Sequence, residues 1–588
     1  MTEPGQRLPN FKVFRDVRLD SVLIRNSLAV DGARVEYPSS NTVSSRIYND
    51  QTYDNAVVSG VLELCGADVT IPTTDEEWDA YRQQATRIEN ANAQRSKATD
   101  VLWPSNTDET NVPMYIGMFS KALPHNAQGR VDAAAYEALR DGIEGRDVDV
   151  LSSVPIAGSI KLVGPLGGLL LNLFGGASST IPLPAAPSIS SAESAGEMVE
   201  CYCQAICRDV SFVDFSTDPA VANCIGYLNA LSNFKGPKPV TAANIFRGLG
   251  YGDLVGPYLS QIFFLSNTLW PYTIPAEVDF PTRSTANNRM ISAATYLSVQ
   301  NGTVTEPGPT LSGTPTYPST GRDMAYNVWK DGLGQWFAYA VLRAYGEGAP
   351  FSPLNPYNNT PLSNNQKALV SWSLADLLSC LYSTAQVALT GAWYGKWFVN
   401  RRLRPEAFGN EVEQQRLTGT NPANLHPDVL TSGATATILA SNGNNYLPQA
   451  YPEGSPAHPS YPAGHAVASG ACITVIKAFM DGDWVFPNPT EPNSAGTVLN
   501  PIVASLTLAG EMNKLASNIA LGRDWAGVHY RSDGHEGIMM GEKIGVCCLQ
   551  DWINRYPETT AQFTLKGYMG NTITITPTQE FATDIQNP

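Results

Sequence analysis

Apolar and polar positions recur at helical spacing through most of the second half of the chain. "RDMAYNVWKDGLGQWFAYAVLRAYGEG", from residue 322, sets Tyr, Trp, Phe and Leu on a helical period. "NNQKALVSWSLADLLSCLYSTAQVALTGAWYGKWFVNRRLRPEAFG" (364–409) predicts one very long helix, stopped at Pro405. "HAVASGACITVIKAFM" (465–480), "PIVASLTLAGEMNKLASNIALGRDW" (501–525) and "HYRSDGHEGIMMGEKIGVCCLQDWINRYPE" (529–558) predict three more. These segments are apolar on one face and joined by polar Gly/Pro/Asn stretches, the signature of a helix bundle. The tail "AQFTLKGYMGNTITITPT" (561–578) alternates around glycine and predicts a small β-hairpin. The first half is less regular. An apolar run (56–72) precedes the helical pattern "TDEEWDAYRQQATRIENANAQRS", where Thr74 and Glu77 form a capping box. Short helices and a Gly/Pro-rich insertion fill 130–232. "YGDLVGPYLSQIFFLSN" (251–267) reads as helical and "NGTVTEPGPTLSGTPTYPSTG" as a loop. The expectation is a mainly α protein with two parts. Residues 1–320 would be a mainly helical region with long loops and a role in oligomerisation. Residues 321–588 would be a helix bundle carrying the functional site.

Composition narrows the partners. Of 588 residues, 43% are apolar and only 16% charged, so a large core is available and surface charge is sparse. The net charge of −16 disfavours nucleic acid and anionic membranes as partners. The N-terminal "MTEPGQRLPNFKVFRD" has no apolar core, which reads as no signal peptide and favours a soluble, cytoplasmic protein. The most apolar segment, "KLVGPLGGLLLNLFGGASSTIPLPAAP" (161–187), is too short and broken to span a bilayer. It reads as a loop or short helix covering a subunit surface. Nine cysteines show no regular framework. Cys201, Cys203, Cys207 and Cys224 allow a metal site, a disulfide or buried free thiols, and the spacing favours thiols.

Four places carry candidate chemistry. In "KWFVNRRLRP" Lys396 and Arg404 are eight residues apart, about 80° around one unbroken helix. Pro405 discourages helical geometry at Arg404, so that side chain can turn toward Lys396. The alternative is a basic helix C-terminus on the surface. In "HPSYPAGHA" (458–466) two of the chain's six histidines flank two prolines and a glycine. Ala463 and Gly464 precede an apolar helix, so free N–H groups there make an anion site. His465, in the first turn, lies at the positive end of the helix dipole, which favours a neutral imidazole suited to acid–base exchange. The alternative is a pair of loop histidines bonded to backbone. In "GRDWAGVHYRSD" (522–533) Gly527 breaks the helix, so Arg523 ends one helix and His529 opens the next. Asp533 follows one turn on and can orient His529. The alternative is a connecting turn with satisfied charges. Trp393, one turn before Lys396, is either core packing or part of the same site. Three fixed cations, a backbone donor and two histidines in an acidic chain ask for a tetrahedral oxyanion: phosphate, sulfate or vanadate.

These blocks, in this order over about 140 residues, resemble the vanadium-dependent haloperoxidases, especially the red-algal bromoperoxidase type. That family shares its anion site with histidine phosphatases. The family pattern is Lys followed by Arg-Pro, then Pro-Ser-Gly-His, then Ser-Arg, five residues, His, three residues, Asp. Ala463 and Gly522 stand where the pattern has serine. The resemblance implies a vanadium haloperoxidase/acid phosphatase-like fold and a bound vanadate. It makes His529 the imidazole on vanadium. Lys396, Arg404, Gly464 and Arg523 become the groups on the vanadate oxygens. His465 is the acid–base residue, with Lys396 polarising bound peroxide. His458 matches a histidine of the bromoperoxidase type and Trp393 a position of the chloroperoxidase pattern, while Ala463 and Asp533 border the site.

The implied reaction oxidises bromide, and also iodide and weakly chloride, with hydrogen peroxide to hypohalous acid, which halogenates organic acceptors. A phosphomonoesterase using the same anion site is the alternative. The partners implied are hydrogen peroxide, halide, a small organic acceptor and copies of the chain, up to a dodecamer. Calcium is considered at "FSPLNPYNNT" (351–360), which offers oxygens but no carboxylate.

Overall fold

The helix that opens at Gly464 lies in the middle of the bundle, and the elements around it set the site. The structure, a computed structural model, describes residues 106–577 apart from 146, 171, 173–180, 270–271 and 559–560. The apolar run 56–72 and the capping box of Thr74 and Glu77 lie outside the described residues. In the first half the longer helices are α1 (Ala133–Gly145), α2 (Ala192–Cys207), α3 (Pro219–Asn229) and α4 (Ala293–Gln300). The second half holds α5 (Gly321–Asn327), α6 (Gln335–Gly346), α7 (Leu374–Tyr394), α8 (Pro405–Thr418) and α9 (Gly433–Asn442). It continues with α10 (Gly464–Phe479), α11 (Leu508–Trp525) and α12 (Arg531–Ile553). The fold is mainly α-helical. Strands are short antiparallel pairs: β1 (Asn267–Leu269) with β2 (Tyr272–Ile274), and β3 (Thr490–Pro492) with β4 (Leu499–Pro501). The predicted C-terminal hairpin is present as β5 (Phe563–Lys566) with β6 (Thr572–Ile575), in the register Phe563 to Ile575.

Helix α10 is apolar nearly all round and buried along its length, with only His465 partly exposed. It packs on α7, α11 and α12. Its approach to α12 is set by small residues. A Cβ on Gly470 would lie 2.1 Å from the Ile538 carbonyl, and one on Gly541 would lie 2.1 Å from that of Val467. Glycine at both positions lets the two backbones touch, which fixes the N-terminus of α10 beside that of α12. α2 packs on α11 from the other side and brings acidic residues under the site.

Several elements differ from the sequence reading. The stretch 364–409 is not one helix. Ser373 caps α7, accepting N–H groups of Ala375 and Asp376. α7 gives way at Tyr394 to a π-helical turn, Gly395–Asn400. Arg401 then takes a left-handed conformation (φ 41°) and reverses the chain. Pro405 begins α8 instead of ending a helix. Its missing N–H costs nothing at the first helical position, and its fixed φ suits the helix start. The stretch from 322 breaks between α5 and α6. Residues 251–266 form turns and irregular backbone apart from one 3₁₀ turn at Gln261–Phe264, because Gly252 and Gly256 take positive φ there. α11 starts at Leu508, since 499–501 is spent on β4. The described part of 161–187 lies on its own chain's α7. A Cβ on Gly168 would lie 2.4 Å from the Tyr394 amide nitrogen, and the Val163 carbonyl accepts the indole N–H groups of Trp393 (3.1 Å) and Trp397 (3.2 Å). Among the described residues no helix is long and apolar enough to cross a membrane.

Candidate active site

The π-helical turn and the reversal at Arg401 direct Lys396 and Arg404 to one buried locus, opposite the loop 458–463. Both residues are almost wholly buried. Lys396 Nζ donates to the carbonyls of Pro459 and Ser460, each at 2.8 Å. Arg404, extended as it enters α8, donates from Nε to the His458 carbonyl (2.9 Å) and from one terminal nitrogen to the Val528 carbonyl (2.7 Å). Its guanidinium also meets His529 Nε2 and His458 Nδ1, both at 2.9 Å. Arg523 comes from the last turn of α11. It donates to the Val328 carbonyl (2.5 Å), its guanidinium lies over the Tyr451 ring at 5.6 Å, and its buried Nε has no partner.

His529 is oriented from behind. Asp533 Oδ2 accepts from its Nδ1 at 2.8 Å, so the ring proton sits on Nδ1 and Nε2 keeps its lone pair. Asp533 is itself fixed by the Tyr530 amide (3.1 Å), by the Ser460 hydroxyl, and by Arg402 at 2.8 Å. Arg402 reaches Glu197 of α2 at 2.9 Å and stacks over the Tyr530 ring at 4.2 Å. The chain of contacts is therefore Glu197, Arg402, Asp533, His529, all buried.

The loop 458–465 closes the opposite wall. His458 lies beside Trp393, ring centroids 4.9 Å apart. Gly464 meets the same indole, because a Cβ there would fall 2.8 Å from a Trp393 ring carbon. Ala463, the N-cap of α10, offers no capping side chain. Among the described residues the amides of Gly464, His465 and Ala466 have no acceptor. His465 Nε2 contacts the Asp331 carboxylate at 3.0 Å.

The electrostatics follow from this crowding. Burial pushes the Lys396 amine well down, and Arg404 and Arg523 beside it add to that. Burial, then Arg523, lowers Arg404 to about 9. Burial and the cations Arg404, Lys396 and Arg523 hold His529 well below the ordinary imidazole value; His458 is held down by burial, Lys396 and Arg404. Both rings are neutral at pH 7. His465 is also lowered, by burial first, with Asp331 opposing. Burial raises the Asp331 carboxyl, but His465 and Arg523 outweigh it and leave the group below its usual value. Arg402, between two carboxylates, is raised despite its burial.

Among the described residues none of Lys396, Arg404 and Arg523 has a carboxylate within 4.0 Å, in contrast to Arg402, Arg401 and Arg531. Three buried cations, an unpartnered guanidinium N–H, free helix-start amides and a basic imidazole nitrogen fit a multiply charged oxyanion. Among the described residues no cluster of His, Cys, Asp and Glu suits a bare metal cation. In 351–360 the side-chain amides of Asn355 and Asn358 donate to the carbonyls of Trp372 and Ser352, so they tie the turn together.

The structure thus brings together Trp393, Lys396, Arg404, His458, Ala463, Gly464, His465, Arg523, His529 and Asp533. Sequence reasoning missed Asp331, Glu197, Ser460 and the part played by Arg402. Ser460 lies inside the flagged loop and Arg402 inside the flagged basic cluster. Asp331 and Glu197 carry no local signal, since only the fold sets them beside His465 and Arg402.

The helical bundle and its buried cationic site are those of a helical-bundle enzyme whose buried cations fit an oxyanion. A family model for the second helical-bundle domain of VCPO matches residues 381–556. A vanadium-dependent bromoperoxidase of Ascophyllum nodosum is 30% identical over 535 residues, covering 85% of this chain and 92% of that protein. One of Corallina pilulifera is 31% identical over 565 residues, covering 80% and 92%. The solved homohexameric second vanadate-dependent bromoperoxidase of A. nodosum superposes with a TM-score of 0.76 at 28% identity, over 87% of this chain and 95% of that one. The chain belongs to the vanadium-dependent bromoperoxidase family and is an enzyme of the haloperoxidase type.

Proposed function

We propose that the chain uses vanadate and hydrogen peroxide to oxidise bromide to hypobromous acid, which then halogenates small organic acceptors. The observation that carries this reading is the convergence of three buried, carboxylate-free cations on a histidine whose Nδ1 is tied to Asp533. Lys396, Arg404, Arg523 and the Gly464 amide would hold the vanadate oxygens, and His529 Nε2 would be the ligand to vanadium. Bound vanadate supplies a Lewis acid that activates peroxide without changing its own oxidation state.

The protein's own groups do the rest. Asp533 keeps the His529 proton on Nδ1, so Nε2 stays a donor of electrons. Arg404 must give up its contact with Nε2 to an incoming anion oxygen, a short displacement for a guanidinium already at 2.9 Å. Lys396, buried and held by two carbonyls, sets a fixed positive charge against the reacting oxygens. With Nε2 of His465 engaged by Asp331, Nδ1 is the nitrogen left to exchange a proton with peroxide or product. His458 and Trp393 would form the halide side of the site. Bromide is the halide assigned, because it is oxidised more easily than chloride. The active species is proposed to be a homo-oligomer, as the A. nodosum relative is a homohexamer; light scattering of the purified chain gives the copy number.

The test is bromination of a phenol dye by protein stripped of metal and then given orthovanadate. Activity restored by vanadate and suppressed by phosphate is the expected outcome. Binding of vanadate without bromination, with turnover of a phosphate ester instead, would overturn the reading in favour of a phosphomonoesterase using the same cations.

A further inference from the structure

Outside the anion site, one cluster of nucleophiles has no part in the chemistry described so far. All eight described cysteines are free, and seven of them are buried. Three of those meet between α2 and α3. Cys203 and Cys207 lie one turn apart on α2, and Cys224 on α3 faces them. The sulfurs of Cys207 and Cys224 are 3.6 Å apart, and the Cys224 thiol also points to the Cys203 carbonyl at 3.8 Å. Among the described residues no group of three or more His, Cys, Asp or Glu, this cluster included, has the arrangement of a metal site. α3 is a single surface layer: Val221, Cys224 and Leu228 face inward, while Ala222, Asn223 and Gly226 are exposed. The sulfurs therefore lie one helix below solvent, within reach of a water-sized oxidant through local opening.

We propose that Cys207 and Cys224 are a peroxide-oxidisable pair that closes to a disulfide and staples α3 to α2. The Cys224 thiolate attacks one oxygen of hydrogen peroxide. The O–O bond breaks, the sulfur becomes a sulfenic acid, and the departing hydroxide takes a proton to leave as water. The Cys207 thiolate then attacks that sulfur, the S–S bond forms, and the second oxygen leaves as water. Two thiols lose two electrons and two protons, and one peroxide becomes two waters. The S–H groups of Cys203 and Cys207 directed at Cys224 favour its thiolate and make it the first nucleophile. Burial opposes ionisation of Cys203, and the contact with Cys224, then burial, opposes that of Cys207.

The consequence reaches the site through α2. That helix carries Glu197, which holds Arg402, and Glu200, which pairs with Arg531 at the start of α12. A bond from Cys207 to Cys224 ties the end of this platform to its neighbour in an enzyme that works in peroxide. The proposal takes from the functional reading only the source of the oxidant.

The experiment uses the full-length chain, reduced, then exposed to hydrogen peroxide without halide or vanadate, so it does not depend on bromination. Thiols are alkylated after unfolding and the chain is mapped by mass spectrometry. The expected result is a mass lower by two hydrogens, a linked peptide joining Cys207 to Cys224, and Cys203 recovered alkylated. The thermal midpoint of the oxidised protein should rise, and Cys224→Ser should abolish that rise. Recovery of both Cys207 and Cys224 as alkylated thiols, their conversion to sulfinic or sulfonic acid, or a Cys203–Cys224 link would overturn the proposal. The peptide map is read on the unmodified chain, so the outcome does not hang on whether the variant folds.

Discussion

His465 and Ala463 are neighbours at the start of one helix, yet each raises a different question. His465 is lowered by burial, and by Arg523 and Lys396, against the carboxylate of Asp331. Asp331→Asn removes the carboxylate charge that opposes them. The His465 pKa then falls further, so its basic form survives to lower pH. The acidic limb of the kcat/KM profile is expected to move to lower pH, while mere loss of packing would lower kcat without moving the limb. At Ala463 a serine would supply a hydroxyl where the helix start has no capping side chain. Ala463→Ser is expected to tighten vanadate by about tenfold or more, the value of one hydrogen bond to a charged group at roughly 1.5–3 kcal/mol. Equilibrium titration of vanadate reads this directly, and an unchanged constant would show that position 463 does not face the anion.

At the scale of elements, the site is the meeting of the starts of α8, α10 and α12, supported by α2. Arg402 links the set, since it is the common partner of Glu197 and Asp533, whose carriers are 205 and 131 residues away along the chain. Arg402→Met would leave two buried carboxylates facing each other without a cation. Breaking a buried pair in this way costs about 3–5 kcal/mol. The urea midpoint should fall accordingly, and vanadate affinity with it, because Asp533 would no longer be held against His529. A variant as stable as the parent would mean that water or a proton replaces the guanidinium. The same scale explains where helix reading from the sequence went astray. Periodicity carried the pattern of α7 straight through to Pro405, because Gly395–Asn400 contains no proline and nothing in its sequence marks the change to a π-helical turn. The local pattern does not register the reversal at Arg401.

For the whole molecule, four buried histidines contribute to the response to acid. His125 and His535 are lowered to about 4, and His458 and His529 lie well below 6.5, all chiefly by burial. Each folded value is below the unfolded one, so below pH 6.5 the unfolded chain binds more protons. The stability held by these neutral rings is complete above about pH 6.5 and is lost as pH falls from there toward 4. Arg404, lowered to about 9 by burial first, gives up its share of stability at alkaline pH and adds no slope between pH 7.5 and 4.5. Thermal midpoints between pH 7.5 and 4.5 should decline without halide, peroxide or vanadate present. A midpoint flat across that range would mean that the rings are protonated in the native state.

The sequence alone determined the bundle, the C-terminal hairpin, and the short blocks whose residues the structure brings together at the proposed anion site. Those features are local: helical period, a proline or glycine at a helix boundary, and three short blocks rich in cations and histidine. The tertiary structure decided what these residues touch. Asp331 reaches His465 across 134 positions, and nothing in its own surroundings sets it apart from the chain's other acidic residues. Glu197 is hidden in the same way within an unremarked helix. The contact of α10 with α12 through Gly470 and Gly541 is also invisible locally, because a glycine's value there lies in a backbone on another helix. Side-chain chemistry and spacing are written along the chain. Charge pairing and close approach exist only once long-range packing has brought the partners together.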